Sequence, residues 1–560
     1  MKVLILGGYG VFGGRLAELL SDEAGLELLI CGRDLTRAHA FCARFRGQAS
    51  VRPILLDRRD IEDGLRRLTP DLVVDASGPF QHYGERRYGV IAACIAAGID
   101  YLDFADAADF VFGVSRFDAE ARTAGVFALS GISSFPVLTA AVLRAMASDM
   151  EITAVEGGIA PSPYAGIGLN VMRAVVGYAG APVTLRRGGA TAHGIGLAES
   201  RRFTVAVPGR VPLRDLRFSL VDVPDLQVIP PDYPMMTDIW MGAGPVPEIL
   251  HRALNLLARA RAAFRLPSLV PFSRLFYLVL NAMKFGEHRG GMIVRARGTV
   301  AGRRVTRSWH LLAEGDDGPY IPSMAVEAIV RKLLAGERPD AGARPGTHAL
   351  DLADYDALFA GRAIYTGCRD DDAEEARAIY PNILGSAFDT LPARVRELHA
   401  VRVPRRWSGR ARVRRGTGLL ARAVCALFRF PRPGDDVAVT VDLVPEGATE
   451  RWTRTFDGRR FSSVQSSGRG RDRHLLVERF GGIAVAIALV VDAGRLLLVP
   501  RRWSFLGLPL PRALLPRGES FEAEEDGRFR FDVEIRAPVV GLIVAYRGEL
   551  APDPATIGAD

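Results

Sequence analysis

A short apolar run, Val3-Leu4-Ile5-Leu6, passes without a spacer into Gly7-Gly8-Tyr9-Gly10-Val11-Phe12-Gly13 and then into a helical pattern from Arg15 to Leu20. Strand, glycine turn and helix in that order open a parallel βαβ unit. Gly8, Gly10 and Gly13 fit G-x-G-x-x-G, where the first glycine allows a tight turn, the second lets backbone approach a pyrophosphate and the third lets helix pack on strand. A diphosphate then rests on the helix N-terminus, where unpaired N–H groups favour negative charge. A dinucleotide site at the head of the chain is therefore expected.

The 560 residues, 48% of them apolar, supply several cores and suggest three or four domains. The net charge of +8 is carried almost wholly by arginine, with lysine only at positions 2, 284 and 332, a bias that codon composition explains as well as a polyanionic partner does. Cys31, Cys42, Cys94, Cys368 and Cys425 are scattered, with no C-x-x-C pair and no histidines at ligand spacing, so no disulfide framework and no metal site is expected. A reducing cytoplasm suits such cysteines. The chain opens on a strand, so no signal peptide is expected, and prolines break the most apolar stretch, Leu266 to Phe285, so no spanning helix is expected either.

Leu26 to Ile30 reads as a second strand, ending at Cys31-Gly32-Arg33-Asp34. An acidic residue here would hold the ribose 2′-OH of NAD, whereas an arginine accommodates the 2′-phosphate of NADP. Arg33 favours NADP; a solvated Arg33 with Asp34 reaching the ribose keeps NAD open, and Asp34 also suits the cap of a helix from Leu35 to Phe45. Strands at Val51 to Leu56, Asp71 to Ala76, Tyr101 to Phe104 and Val126 to Leu129 alternate with helices at Arg86 to Ala97 and around Asp118 to Thr123. That alternation means a parallel sheet with ligands at the carboxyl ends of its strands.

Four ordered motifs, Gly8 to Gly13, Ser77-Gly78-Pro79-Phe80 with Tyr83-Gly84, Ala97 to Asp103, and Gly125 followed by Gly131 to Pro136, make residues 1 to 350 similar to the saccharopine dehydrogenase-like oxidoreductases. The resemblance implies that Gly8, Gly10, Val11, Phe12 and Gly13 touch the pyrophosphate, Arg33 the 2′-phosphate, Asp57 the adenine side, and Ser77, Gly78, Pro79 and Phe80 the nicotinamide half. It implies a Rossmann domain at 1–130, an inserted α+β domain at 131–320 and a helix at 321–350 returning to the first. It is a poor guide to substrate. Asp106 stands after Ala105 where a Gly-Glu pair is frequent, and Val137-Leu138 follows Pro136 where an acid is common, so a lysine-pathway role does not follow.

His82 and Tyr83 follow the nicotinamide-side loop and are candidates to exchange a proton with a substrate; the alternative for both is loop packing around Gly84, which Tyr83, as part of the shared motif, suits better than catalysis. Asp103 and Asp106 end the next strand, and Asp106 is the third catalytic candidate, with helix capping as its bland alternative. The apolar stretch Leu256 to Phe285 suits buried helical core better than a pocket wall or a membrane face, since its arginines form no single face. The stretch 336–347 is linker-like, and 351–379, with its acidic run at Asp370 to Glu375, is expected as the linker between the two modules.

From 380 to 560, β-rich runs separated by turn signals such as Asp457-Gly458 and Asp526-Gly527 predict a separate, mainly antiparallel β domain. Trp452 to Phe456 and Pro509 to Pro516 make it similar to a bacterial domain of unknown function found behind saccharopine dehydrogenase-like modules. Ile483 to Val491 is apolar on both faces, which suits a closed barrel or a sheet covered by a helix, with room for an apolar ligand. Seven arginines between Arg402 and Arg415 alternate with Ala411 and Val413, as on an exposed strand, so no specific nucleic acid is expected. The whole reads as an NADP-dependent oxidoreductase of a small-molecule substrate (a carbonyl, an imine or a lipid-derived compound), with peripheral membrane contact and homo-oligomerisation left open. The rival is a non-catalytic nucleotide-sensing or lipid-associated binding protein.

Overall fold

The computed structural model describes residues 1–84, 86–166, 168–244, 247–371 and 378–553, the side chain of His82 excepted. They form two compact units, Met1–Phe203 with Leu216–Tyr365, and Thr204–Asp215 with Thr366–Asp560.

The first unit begins with β1 (Lys2–Leu6), α1 (Val11–Leu19), β2 (Glu27–Gly32), α2 (Leu35–Arg44), β3 (Ser50–Leu55), α3 (Ile61–Leu68), β4 (Leu72–Asp75), α4 (Gly89–Ala97), β5 (Asp100–Asp103), α5 (Ala108–Gly113), α6 (Asp118–Ala124), β6 (Phe127–Ser130) and α7 (Thr139–Ala147). Strands β4 and β6 are buried throughout, and β1, β2 and β5 are buried except at their ends, which is why they read as unbroken apolar runs rather than alternating ones; the edge strand β3 is half-buried to exposed. Side by side they run β3-β2-β1-β4-β5-β6, all parallel, the doubly wound order whose direction reverses between β1 and β4. The glycine turn after β1 and the Ser77 loop after β4 flank that reversal.

There follow β7 (Glu151–Ala160), α8 (Leu169–Tyr178), β8 (Pro182–Arg187), β9 (Ala190–Ile195), β10 (Ser200–Val205), β11 (Leu213–Leu220), α9 (Asp225–Val228), β12 (Asp238–Ala243), α10 (Glu248–Phe264), α11 (Ser273–Ala282), β13 (Gly290–Val300), β14 (Arg303–Ala313), α12 (Ile321–Leu334), β15 (Gly342–Pro345), α13 (Leu352–Phe359) and β16 (Ile364–Asp370). Strands β11-β12-β7-β13-β14 form the centre of a second sheet, mostly antiparallel, with β7 and β12 parallel. Helix α12 returns to the first domain, where Arg331 pairs with Asp22 and Glu23 at the end of α1.

Two expectations fail here. The stretch 336–347 contains β15, a seventh parallel strand beside β6; its bonds are made by backbone, so glycine and proline content does not reveal it. The apolar run expected as buried core is instead two helices, α10 and α11, broken where Pro267 and Pro271 interrupt the pattern, and one face of each is exposed.

The second unit carries α14 (Ile379–Leu384), α15 (Ala393–His399), β17 (Arg405–Arg415), α16 (Leu419–Leu427), β18 (Gly434–Glu446), β19 (Thr449–Phe456), β20 (Arg459–Ser467), β21 (Leu476–Phe480), β22 (Ile483–Asp492), β23 (Arg495–Phe505), β24 (Leu508–Pro509), β25 (Ser520–Glu525), β26 (Arg528–Ala537) and β27 (Gly541–Pro552). The order β22-β21-β20-β19-β18-β17-β27-β26-β25-β23, closed by pairing of β22 with β23, is an antiparallel barrel of ten strands. Ile487 and Leu489 of β22 join the main core, while Ala486 and Ala488 meet a second cluster that includes Val211 of the 204–215 segment. Both faces of β22 are thus covered, which explains its two-sided apolarity. On β17, Trp407, Ala411 and Val413 point inward, and Arg406, Arg410 and Arg412 pair with Asp442, Asp436 and Asp435.

Candidate functional site

The left-handed residue of the first turn is Gly7, at φ 75°, one position ahead of the motif. Gly10 donates its N–H to Gly7 O at 2.8 Å and caps α1, whose first intrahelical bond is Gly14 N–H to Gly10 O. The amides of Val11, Phe12 and Gly13 precede that bond and point out of the helix end. A Cβ on Gly13 would lie 2.6 Å from Gly7 O and 2.9 Å from Gly8 Cα, both backbone, so only glycine lets α1 seat on the turn. This is a cradle of the shape a dinucleotide pyrophosphate requires.

At the carboxyl end of β2, the Tyr9 ring fills the space beside Gly32, its hydroxyl accepts the Asp34 N–H at 3.0 Å, and Arg37 lies over its face. Asp34 caps α2 by accepting from Arg37 N. Arg33 is exposed next to this turn. Asp57, after β3, is gripped by the guanidinium and backbone of Arg59, which with weaker help from Arg33 holds its carboxyl down at about 2. Arg33, Arg37 and Arg59 thus stand beside the carboxylates of Asp34 and Asp57 at the carboxyl ends of β2 and β3.

The Ser77 to Phe80 loop is built on Asp75, a carboxylate fully buried at the end of β4. It accepts from Ser77 N at 3.0 Å and Ser77 Oγ at 2.5 Å, with Arg58 at 3.6 Å. Ser77 Oγ also meets Tyr83 OH at 2.8 Å, and the Arg58 guanidinium lies 3.4 Å from the Tyr83 ring centroid. Burial pushes the Tyr83 phenol well above its usual range, so it stays neutral and serves as a hydrogen-bond anchor. The loop is tied to the second domain by Asn170, which donates to Gly78 O at 3.0 Å. The side chain of His82 lies outside the described residues.

Between the domains of this unit lies a cavity of about 640 Å³. Val11 and Phe12 form one wall, α8, α10 and α11 another, and Ser134, Phe135, Met292 and Pro319 much of the rest. The lining is overwhelmingly apolar. Its acidic groups are Asp106 and Asp222, with the phenol of Tyr178 beside them. Burial raises the Asp106 carboxyl, which accepts from Gln81 Nε2 at 3.1 Å. Asp222 makes no hydrogen bond among the described residues, and burial, reinforced by the charges of Asp109 and Asp106, lifts it to about 6. Burial also pushes the Tyr178 phenol up.

Of the residues the sequence proposed, Val11, Phe12 and Asp106 border this cavity; Arg33 and Asp57 sit at the far ends of β2 and β3; Ser77 to Phe80 and Tyr83 form the hydrogen-bonded loop. Asp103 is locked, accepting from Ala105 N, Ser130 Oγ and Gly131 N. Asp222 and Tyr178 were missed. The only local signal was a lone acid in Val221-Asp222-Val223, where an apolar flank hints at desolvation.

The barrel holds a second cavity, of about 400 Å³. Amid Val441, Ile487 and Phe531 it exposes Arg454, Gln465, Glu478, Glu522 and Tyr546. One carboxylate oxygen of Glu478 accepts from Ser463 Oγ at 2.6 Å, Arg454 Nη2 at 3.1 Å and Gln465 Nε2 at 3.3 Å, and Tyr380 OH donates to Gln465. His399 Nε2 pairs with Glu522 beneath. Residues 13 to 123 positions apart build this array, so the sequence showed no paired carboxylates there.

A doubly wound sheet with a pyrophosphate-shaped cradle at its reversal point, opening onto a largely apolar cavity, makes the first unit a dinucleotide-binding module of the Rossmann class. Residues 3–129 match the family model of the saccharopine dehydrogenase NADP binding domain, and residues 391–550 match a domain of unknown function, DUF4166. No curated protein matches the chain. Among solved structures the chain is similar to an amine dehydrogenase from Mycobacterium smegmatis (11% identity over 61% of this chain and 94% of that one, TM-score 0.31). It is also similar to the WlbA (WbpB) dehydrogenase from Thermus thermophilus (11% identity, 61% and 90% covered, TM-score 0.28) and to a dehydrogenase (MviM) from Clostridium difficile (7%, 61% and 93%, TM-score 0.30). No helix among the described residues is long and apolar enough to cross a membrane.

Proposed function

We propose that the first unit is an NADP-dependent oxidoreductase of an apolar carbonyl or imine compound. The observation that carries this is the cavity itself: an apolar chamber that begins at Val11 and Phe12, on the nucleotide cradle, and holds two carboxyls with raised affinity for protons. Bound NADP(H) supplies or takes up the hydride. The residues of the chain supply the remainder. The amides at the start of α1, with Gly8, Gly10 and Gly13, hold the pyrophosphate; Arg33 favours the 2′-phosphate; Ser77 to Phe80, fixed by Asp75, Tyr83 and Asn170, shape the nicotinamide side. As hydride reaches the substrate carbon, Asp222 in its protonated form gives a proton to the oxygen or nitrogen, completing an alcohol or amine. Asp106 and Tyr178 sustain that acid by excluding water and repelling its anion.

The barrel cavity suits an apolar molecule bearing one uncharged hydrogen-bonding group. Arg454 opposes a cationic head, and Glu478 and Glu522 oppose an anionic one. Purified full-length protein incubated with NADPH and a panel of long-chain ketones, aldimines and short polar keto acids tests the first reading. Consumption of NADPH with the apolar members is expected. Tight NADPH binding without turnover of any member would favour the nucleotide-sensing alternative, and turnover confined to the keto acids would reject the apolar substrate. Mass spectrometry of lipids extracted from the same protein tests the second; a clean extract rejects it.

A further inference from the structure

Helices α10 and α11 expose more large apolar side chains than solvent contact alone would leave uncovered. Ile249, Leu256 and Phe264 recur at steps of seven and eight along α10, and Phe264 is 76% exposed; Leu275 and Leu278 continue the patch on α11, with Leu278 at 63%, and Phe285 follows. Exposed patches of this kind mark contact with a partner or a membrane. The charges identify which. From Ile249 to Phe285 the chain carries Arg252, Arg259, Arg261, Arg265, Arg274 and Lys284 and no carboxylate; of these, Arg252 pairs with Glu248, one residue before the stretch. Arg265, Arg274 and Lys284 are exposed and have no ion-pair partner among the described residues, while Arg259 and Arg261 donate only to backbone carbonyls. A second copy of this surface would set arginine against arginine. An acidic headgroup layer would meet both features at once, apolar side chains entering the acyl boundary and arginines staying at the phosphates.

The patch is also the mouth of the substrate cavity. Leu257, Leu275 and Val279 are exposed to solvent and line the cavity as well, and the inward stripe of α10, Leu250 and Leu254, continues its wall. We propose that the α10–α11 hairpin docks on an anionic lipid bilayer surface and that substrate enters the cavity from the acyl layer. This deepens the apolar-substrate reading, on which its second clause rests; the docking clause stands on the surface alone.

Sedimentation of the full chain with vesicles of phosphatidylcholine, alone or with a third phosphatidylglycerol, tests it. Wild type is expected to sediment with the anionic vesicles and to be released at high salt, since these attractions fall off within a Debye length. Arg265→Gln with Arg274→Gln should weaken partitioning about fivefold per charge, at roughly 1 kcal/mol for each. Leu256→Ser/Phe264→Ser/Leu278→Ser, none of which lines the cavity, should lose sedimentation at least tenfold while binding NADPH as wild type does. Wild type remaining in the supernatant with anionic vesicles, or the triple variant sedimenting unchanged, overturns the docking. A wild-type dimer that becomes monomeric in the triple variant, with neither binding vesicles, overturns it in favour of self-association. Turnover by wild type of a detergent-dispersed long-chain ketone, measured alongside, separates failure of docking from failure of the oxidoreductase reading.

Discussion

Replacement of Asp222 by asparagine separates a desolvated acid from an ordinary surface carboxylate, and its consequence for stability can be worked out before any substrate is known. The carboxyl is raised from 3.8 to about 6, chiefly by burial. The folded state therefore binds its proton more tightly than the unfolded chain does, so the stability this group contributes is fully present below about pH 3.8 and is lost as pH rises through about 6. A shift of that size is worth up to about 3 kcal/mol, at about 1.4 kcal/mol for each pH unit. Asparagine keeps the shape and removes the charge. Relative to wild type, Asp222→Asn should gain up to about 3 kcal/mol at pH 8 and almost nothing at pH 4. Asp103 and Asp225, raised to about 7 by their own burial, are common to both proteins and cancel in the difference. Urea unfolding followed by NADPH fluorescence, at pH 4, 6 and 8, reads the change directly. The same variant should lose on the order of 10²- to 10⁴-fold in kcat for reduction, the usual contribution of a positioned acid, and with it the fall in wild-type kcat as pH rises through about 6. A variant less stable than wild type at pH 8 would mean that the carboxylate is compensated by something other than solvent exclusion, and the proton-donor role would fall with it.

Arg33→Ala should weaken NADPH about 10- to 150-fold and NADH far less, as loss of a charge-assisted bond of roughly 1.5 to 3 kcal/mol requires; calorimetric titration giving equal wild-type affinity for both nucleotides would reject the assignment. Gly13→Ala, whose Cβ would meet Gly7 O at 2.6 Å, should fold with an unchanged circular dichroism spectrum but lose most nucleotide binding, and full binding would show that the turn yields without cost. In the barrel, Arg454→Met strands Glu478 in the cavity and should cost about 3 to 5 kcal/mol in urea unfolding, while adding Glu478→Gln should restore most of it; equal destabilisation by single and double variants would mean that the pair is not coupled.

The sheet of the first unit was legible because its strands are short apolar runs punctuated by glycine turns and helices, and burial on both faces leaves nothing else for such runs to be. Gly8, Gly10 and Gly13 were legible for the same local reason: the cradle is made within seven residues. The barrel was legible only as a choice. Val485, Ile487 and Leu489 alternate with Ala486 and Ala488, all apolar, and nothing in β22 states whether the outer face is covered by a helix or, as found, by Val211 from nearly three hundred residues upstream. The strand β15 escaped because parallel pairing with β6 uses backbone groups that every residue has, glycine and proline-flanked ones included.

What sequence could not supply is convergence. Asp106 follows β5, Tyr178 ends α8 and Asp222 follows β11, and each in isolation is an ordinary acid or phenol beside apolar neighbours. Only the fold puts them around one chamber, where exclusion of water, reinforced by the charges of Asp109 and Asp106, raises the Asp222 carboxyl to about 6. The same physics explains the misjudged hairpin. Its arginines were weighed as a helical wheel would show them, as a failure to form one polar face, and that argued for buried core. In the structure Ile249, Leu256 and Phe264 face outward, with Arg265, Arg274 and Lys284 nearby and without an ion-pair partner among the described residues, while Leu250 and Leu254 face the chamber. A stripe that is apolar on two adjacent faces is the pattern of a helix that closes a pocket on one side and meets a second apolar phase on the other. A core helix needs only the first, and an exposed soluble helix would carry polar residues on the second.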